Sequence, residues 1–140
     1  KSSPDISDLF LYGRLNYYAA TDSAYQDKQP TYLAEADTIF AQVAVKVPDN
    51  YLGNFWRARV NSLRDPETTQ GLAKPYYEAA LSILEQKSDA TKSVLVECNS
   101  YLGYYYFVKE DYNQSKQYWN KILEIDPENE TATKALGGIK

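Results

Sequence analysis

Between Leu95 and Ile125 the chain carries two amphipathic segments that meet at a short polar break, Lys109 to Asp111. The apolar face of the first segment has intervals of 3, 4 and 4 residues and consists of Leu95, Cys98, Leu102 and Tyr106. The corresponding face of the second has intervals of 3, 4 and 3 residues and consists of Tyr112, Ser115, Trp119 and Ile122. Such intervals are typical of α-helices, so the stretch predicts a helical hairpin. Asp111 is expected to cap its second helix, and Asp126-Pro127 to end it.

Two further hairpins are predicted upstream. Their helices are expected at about residues 5–20 and 31–46, then at about 50–64 and 72–86, and the fifth helix at about 90–108. The second helix of each hairpin repeats a small residue followed four positions later by an aromatic residue: Ala36 and Phe40, Ala73 and Tyr77, Ser115 and Trp119. Polar, turn-forming residues separate the helices at 21–30 and 65–71. A short last helix follows Asp126-Pro127, and Gly137-Gly138 is expected to end it.

This pattern resembles the tetratricopeptide repeat (TPR), a helix-turn-helix unit of about 34 residues. The residues at the family's spacings are Leu102-Gly103, Tyr106, Ser115, Trp119, Ile122 and Pro127. Two positions depart from it, because Ser115 stands where alanine is usual and Asn99 where tryptophan is common. The resemblance implies an all-α fold in one domain, residues 1–140, with hairpins at about 5–48, 49–87 and 89–127 stacked as a right-handed superhelix, an α-solenoid. A capping helix at about 128–138 is expected to shield the last hairpin.

The second hairpin can be placed in two registers. Either Leu52-Gly53 or Arg57-Ala58 corresponds to the pair Leu102-Gly103 of the third hairpin. Residue identity favours Gly53, whereas spacing favours Ala58. Pro48 precedes Ala58 by ten residues, which is the regular distance from a repeat's terminal proline to the next small residue, but it precedes Gly53 by only five. We therefore place Ala58 at the pair.

Several connections are longer than the family norm. Glu85 to Gly103 spans eighteen residues instead of ten. The additional eight residues, about two helical turns, are expected to lengthen the fifth helix at its start, with Asp89 as its cap. In its long connections the chain resembles exported bacterial TPR proteins with extended intra-repeat loops. This resemblance favours a periplasmic or envelope-associated location over a cytoplasmic one.

Composition narrows the function. The 140 residues have a net charge of −4, no histidine and a single cysteine, Cys98. There is no basic block to suit nucleic acid, no apolar run near the ~18 residues of a membrane span, and no histidine for the usual catalytic or metal sites. We therefore expect a non-catalytic protein that needs no cofactor or metal, binds no nucleic acid and does not insert into a membrane. Cys98 lies on an apolar face and is expected to be a buried small hydrophobe.

The TPR resemblance implies that the first helix of each hairpin lines a concave groove. The predicted lining residues are Arg14, Tyr17, Asn54, Arg57, Arg59, Ser100, Tyr104 and Phe107. Tyrosine offers flat apolar area at low entropic cost, and arginine offers forked donors for carboxylates and carbonyls. Packing between hairpins is the alternative role of the tyrosines, and plain solvation that of the arginines. Some TPR modules clamp a peptide carboxylate with lysine and asparagine. That specificity is not expected, because Lys92 is the only lysine in these three helices.

These observations predict a module that binds a protein or peptide segment in the groove. The alternative is a structural or self-associating domain, which would act as a homo-oligomer or as part of a larger protein. An enzyme is disfavoured, because no catalytic set of residues is visible.

Overall fold

The computed structural model describes residues 5–139, which form seven α-helices. Their bounds are Ile6–Thr21 (α1), Gln29–Lys46 (α2), Leu52–Arg64 (α3), Lys74–Leu84 (α4), Lys92–Val108 (α5), Tyr112–Ile125 (α6) and Glu130–Gly138 (α7). Each α-helix packs chiefly against its neighbours in the chain, so α1–α2, α3–α4 and α5–α6 are three helical hairpins and α7 closes the last one. The predicted all-α fold of stacked hairpins is confirmed. Across these residues, no helix has both the length and the apolarity that crossing a membrane requires.

The helix starts follow from local side-chain chemistry. Asp5 caps α1 by accepting a hydrogen bond from the Asp8 amide at 2.8 Å. Asp111 does the same for α6, and Asn129 for α7. Glu110 has a positive φ of 61°, which stops α5 and turns the chain into α6. Each cap satisfies an amide that would otherwise lack a partner at the helix start.

Glycine allows the two helices of the first and third hairpins to approach closely. A Cβ atom on Gly13 would lie 2.6 Å from Cε1 of Phe40, and one on Gly103 would lie 2.7 Å from Cε2 of Trp119. The Ser115 hydroxyl also donates a 2.7 Å hydrogen bond to the Gly103 carbonyl. The serine that departs from the TPR pattern is therefore a small buried residue that also joins the two helices.

The structure decides the register of the second hairpin. Gly53 faces the preceding hairpin, because a Cβ there would lie 2.6 Å from the Ala44 amide nitrogen of α2. Gly53 therefore does not correspond to Gly13 or Gly103, which face the second helix of their own hairpins. Ala58 is fully buried in the middle of α3. It is the residue that corresponds to these two glycines, as spacing predicts.

Two predicted connections differ from the structure. The fifth helix begins at Lys92 after Thr91, not after Asp89, and Thr91 makes no side-chain capping bond. Lys92 precedes Gly103 by eleven residues and Ile6 precedes Gly13 by seven, so α5 is longer than α1 at its start by four residues. The predicted two-turn extension is therefore wrong: about one turn is added, and the other residues form the α4–α5 connection. Residues 23–28, predicted as a polar turn, form a 3-10 helix.

A buried carboxylate shapes the loop between α3 and α4. Asp65 is only 3% exposed and accepts hydrogen bonds from the amides of Gly71 at 2.7 Å and of Gln70 and Leu72 at 3.2 and 3.3 Å. Thr68 and Gly71 adopt positive φ angles of 61° and 70°. The loop that the sequence predicts only as polar is thus folded around one side chain.

The last helix stands in the register of another first helix. Leu136-Gly137 follows Leu102-Gly103 by 34 residues, which is about the TPR period. The helix ends at Gly138, so Gly137-Gly138 ends α7 as predicted. Since α7 packs on α6 as α3 packs on α2, it extends the row of first helices by one member.

Candidate peptide-binding groove

Six of the eight predicted groove residues lie at matching positions on the first helices. Arg14, Arg59 and Tyr104 directly follow Gly13, Ala58 and Gly103, which are the equivalent small residues of the three hairpins. Tyr17 and Phe107 each stand three residues further along the same helix face, and Ser100 stands four residues before Tyr104. We call this surface the first-helix face, and its residues are Arg14, Tyr17, Arg59, Ser100, Tyr104 and Phe107.

The centre of the first-helix face is an ion pair between two hairpins. Arg59 on α3 donates two hydrogen bonds to Glu97 on α5, at 2.9 and 2.7 Å. The hydroxyl of Tyr77 donates a third bond to Glu97 at 2.9 Å, and the Arg59 guanidinium lies 4.7 Å from the centre of a ring of Trp56. The hydrogen bond to Glu97 raises the pKa of Arg59 above its ordinary value. This arginine is therefore held in place and is not freely solvated.

Glu97 is the residue that the predicted set lacks. It stands three residues before Ser100 and so shares the same face of α5. The spacing alone could have placed Glu97 on this face. A carboxylate that lies beside an arginine is expected to pair with it. Because Glu97 neutralises Arg59, the positive charge available on this face comes from other side chains.

Arg14 is the arginine with donors to spare. Its guanidinium lies 4.8 Å from the centre of the Phe10 ring. Within residues 5–139 no carboxylate lies within ion-pair distance of Arg14, and its Nε–H is buried without a hydrogen-bond acceptor. The guanidinium thus carries a charge that no carboxylate of the described residues neutralises, so an incoming carboxylate beside it would be favourable.

Tyr17 packs between the first two hairpins. Its ring meets Trp56 edge-on, with centroids 5.3 Å apart. Burial raises the pKa of the Tyr17 hydroxyl, and the nearby Arg59 guanidinium opposes that rise. Tyr17 thus contributes mainly to the floor of the face. The packing role that the sequence left open for the tyrosines applies to this one.

Arg57 and Asn54, which were also predicted to line the groove, lie on the other side of α3 from the first-helix face. Arg57 pairs with Asp37 of α2 at 2.9 Å and stacks on Tyr76 of α4, 4.3 Å from the ring centre. Residues two apart on a helix point about 200° away from each other, so Arg57 and Arg59 face opposite sides of α3. Asn54 stands three residues before Arg57 and shares its side.

Tyr104 and Phe107 line an open pocket at one end of the first-helix face. Both side chains are exposed, by 47% and 41%. The pocket has a volume of about 210 Å³ and lies between α5 and α7. The remaining lining residues are Trp119, Lys134, Ala135, Gly138 and Ile139. Exposed aromatic side chains beside an apolar recess are features of recognition surfaces.

A larger depression of about 640 Å³ lies between the α4–α5 connection and α6. Its lining includes charged residues such as Lys87 and Glu124, and also Asn99. The Asn99 Oδ1 atom is buried without a hydrogen-bond partner in the described part of the chain. None of the predicted groove residues lines this depression, so it is separate from the first-helix face.

The described residues give no support for a metal site or for a reactive thiol. No group of three or more acidic or cysteine side chains among residues 5–139 is placed to hold a metal ion. Cys98 is fully buried, and burial raises the pKa of its thiol to about 12. A thiol of this kind is inert at neutral pH.

No protein-family model and no curated protein matches the chain significantly. One solved structure does: the C-terminal part of a TPR repeat-containing protein from Cytophaga hutchinsonii, which is 34% identical and superposes with a TM-score of 0.83. The match covers 96% of this chain and 48% of that one. The chain therefore spans about half the length of the solved relative. The predicted resemblance is confirmed: the chain is similar to this TPR repeat-containing protein, and its fold is a helical solenoid.

Proposed function

We propose that this protein binds an extended segment of another protein along the first-helix face. A TPR-type solenoid is in general a protein-interaction module. The observation that carries the finer proposal is the alignment of Arg14, Arg59 and Tyr104 at equivalent positions of three successive first helices. Such a row gives an elongated ligand repeated contacts along its length.

The side chains on this face indicate the chemistry of the ligand. Arg14 supplies at one end a guanidinium without a carboxylate partner among residues 5–139, and Tyr104 and Phe107 supply apolar surface at the other. Arg59 is already paired with Glu97, so it contributes mainly planar surface and a fixed charge pair in the middle. A segment with an acidic residue near Arg14 and an apolar residue near Tyr104 would be complementary.

The test is a selection of peptides from a random display library on the purified protein. The selected peptides are expected to bind at least tenfold more weakly to the Tyr104→Ala and Arg14→Glu variants. Matched controls are Tyr25→Ala, a tyrosine of similar exposure at 45%, and Arg64→Glu, an exposed arginine at the end of α3. Equal weakening by controls and groove variants, or none by either, would refute the groove.

A second function, self-association, is favoured by one feature of α1. Leu11 and Leu15 are 44% and 55% exposed, whereas Trp56 and Val60, which stand 45 residues later at the equivalent positions of α3, are buried. Apolar residues that neighbouring helices cover elsewhere are thus uncovered at this end. Light scattering across concentrations would show a dimer that Leu15→Glu abolishes. A monomer at all concentrations would rule this function out.

A further inference from the structure

We propose that the pocket between α5 and α7 accepts one aromatic side chain of the bound segment, beside a carboxylate that pairs with Lys134. This inference rests on the proposed function, since it names the chemistry recognised at one end of the first-helix face. Apart from Lys134, the pocket is lined by aromatic, aliphatic and glycine residues of α5, α6 and α7.

The internal repeat shows which group is missing from this pocket. At the junction of the first two hairpins, Trp56 fills the space between Tyr17 and Phe40, with ring centroids 5.3 and 5.7 Å away. Trp56 follows Phe40 by 16 residues. At the last junction the corresponding residue, 16 positions after Trp119, is Ala135.

The neighbours of the missing ring are nevertheless present. Phe107 follows Gly103 by four residues, as Tyr17 follows Gly13, and Trp119 occupies the position of Phe40. The two aromatic side chains that contact Trp56 in the first junction therefore have aromatic counterparts in the last junction. The position of Trp56 itself carries only the methyl group of Ala135. An aromatic ring supplied from outside would complete the same packing.

The size of the pocket agrees with a single ring. A volume of about 210 Å³ is below the roughly 300–1,000 Å³ of pockets that hold whole ligands and cofactors. The space therefore suits one aromatic side chain and not a larger cofactor.

Two features keep the pocket open and give it a charge preference. Gly138 lines it, and a Cβ atom built on Gly138 would meet no atom within 4 Å. Gly138 directly follows Gly137, as Arg59 follows Ala58, so the pocket lies where α7 continues the first-helix face. Among the described residues that line the pocket, the exposed Lys134 is the one that carries a charge, which favours a ligand with a carboxylate close to the ring.

The probe for a direct test is N-acetyl-phenylalanine, which carries a ring and a carboxylate, titrated into the full chain and followed by amide NMR shifts. The shifts are expected at Ala135 and Gly138. N-acetyl-phenylalanine amide, which lacks the carboxylate, should bind several-fold more weakly, and N-acetyl-alanine should cause no shift. Shifts spread over the surface, or equal responses to all three compounds, would overturn the inference.

Variants that fill the pocket provide the second arm. Gly138→Leu and Ala135→Trp are expected to weaken binding of the probe and of library-selected peptides at least tenfold while leaving the helical circular dichroism unchanged. Gly137→Leu is the matched control, because Gly137 is equally free of contacts but does not line the pocket. Peptide binding that is lost with Arg14→Glu but unchanged with Gly138→Leu would refute the pocket and leave the groove standing. Binding of the probe without any selectable peptide would refute the groove and leave the pocket standing.

Discussion

The two helices of the third hairpin are joined by one hydroxyl group and pack closely because one position is glycine. Ser115 donates to the Gly103 carbonyl, and the absence of a side chain on Gly103 allows Trp119 to lie against the helix backbone. Both residues are fixed by the crossing of α5 and α6. Glycine and serine are weak helix formers, so their presence here is explained by packing and not by helix propensity.

Two glycines at the same position of the repeat are expected to respond oppositely to alanine. Gly103→Ala places a Cβ 2.7 Å from Trp119, so the free energy of unfolding should fall by ~1–3 kcal/mol. Gly137→Ala meets nothing within 4 Å and should raise it by up to ~1 kcal/mol, since alanine is the better helix former. Urea denaturation of both variants measures the difference. Equal effects would contradict the assigned crossing point.

Cys98 makes stability depend on pH in the alkaline range. Burial raises the pKa of its thiol from 9.0 to about 12, so the folded protein keeps a proton that the unfolded chain releases above pH 9. The free energy of unfolding is therefore complete below about pH 9 and falls as pH rises toward 12, by ~1.4 kcal/mol per pH unit for one group. Cys98→Ala should reduce this slope in urea denaturation at pH 8, 10 and 11. An unchanged slope would mean that the thiol plays no part.

At the scale of elements, helix starts could be predicted and loops could not. Asp111 caps its helix as expected, because capping depends on residues within one turn. The start of α5 and the 3-10 helix before α2 depend on how hairpins stack, which periodicity does not contain. The role of Asp65 could not be predicted from the sequence, because its carboxylate accepts hydrogen bonds from amides five to seven residues further along the chain.

The loop between α3 and α4 should depend on that carboxylate. Asp65→Ala removes the acceptor of three backbone amides and leaves them poorly satisfied in a buried place. The expected loss is ~1–3 kcal/mol of unfolding free energy. Glu67→Ala, an exposed acid in the same loop, should change stability by less than ~0.5 kcal/mol. Thermal or urea unfolding of the two variants compares them directly, and equal losses would contradict the assigned role.

The sequence suggested which residue types line the first helices, but not which side of its helix each residue occupies. Arg57 and Arg59 were assigned to one groove, although their separation by two residues already placed them on opposite sides of α3. The partners that decide their roles, Asp37 and Glu97, come from other hairpins. A single helix pattern cannot show which neighbour a charged side chain will meet. The pocket at α7 also could not be found, because it is formed by three helices.

Across the whole molecule, Arg59 and Glu97 connect the second and third hairpins. Their side chains are 31% and 32% exposed, so solvent weakens the pair and a coupling energy of ~1 kcal/mol is expected. A double-mutant cycle with Arg59→Met and Glu97→Gln measures it. The more exposed pair Lys121 and Glu85, 3.5 Å apart, is the control and should couple by less than ~0.5 kcal/mol. Equal coupling in the two cycles would show that the central pair has no special role.

Because each helix packs chiefly on its neighbours in the chain, the molecule has few contacts between distant parts of the sequence. Closing such short loops loses little chain entropy, so folding is expected to be fast. Under a force applied at its two ends, the stack should yield in steps, one hairpin at a time, and not in a single rupture.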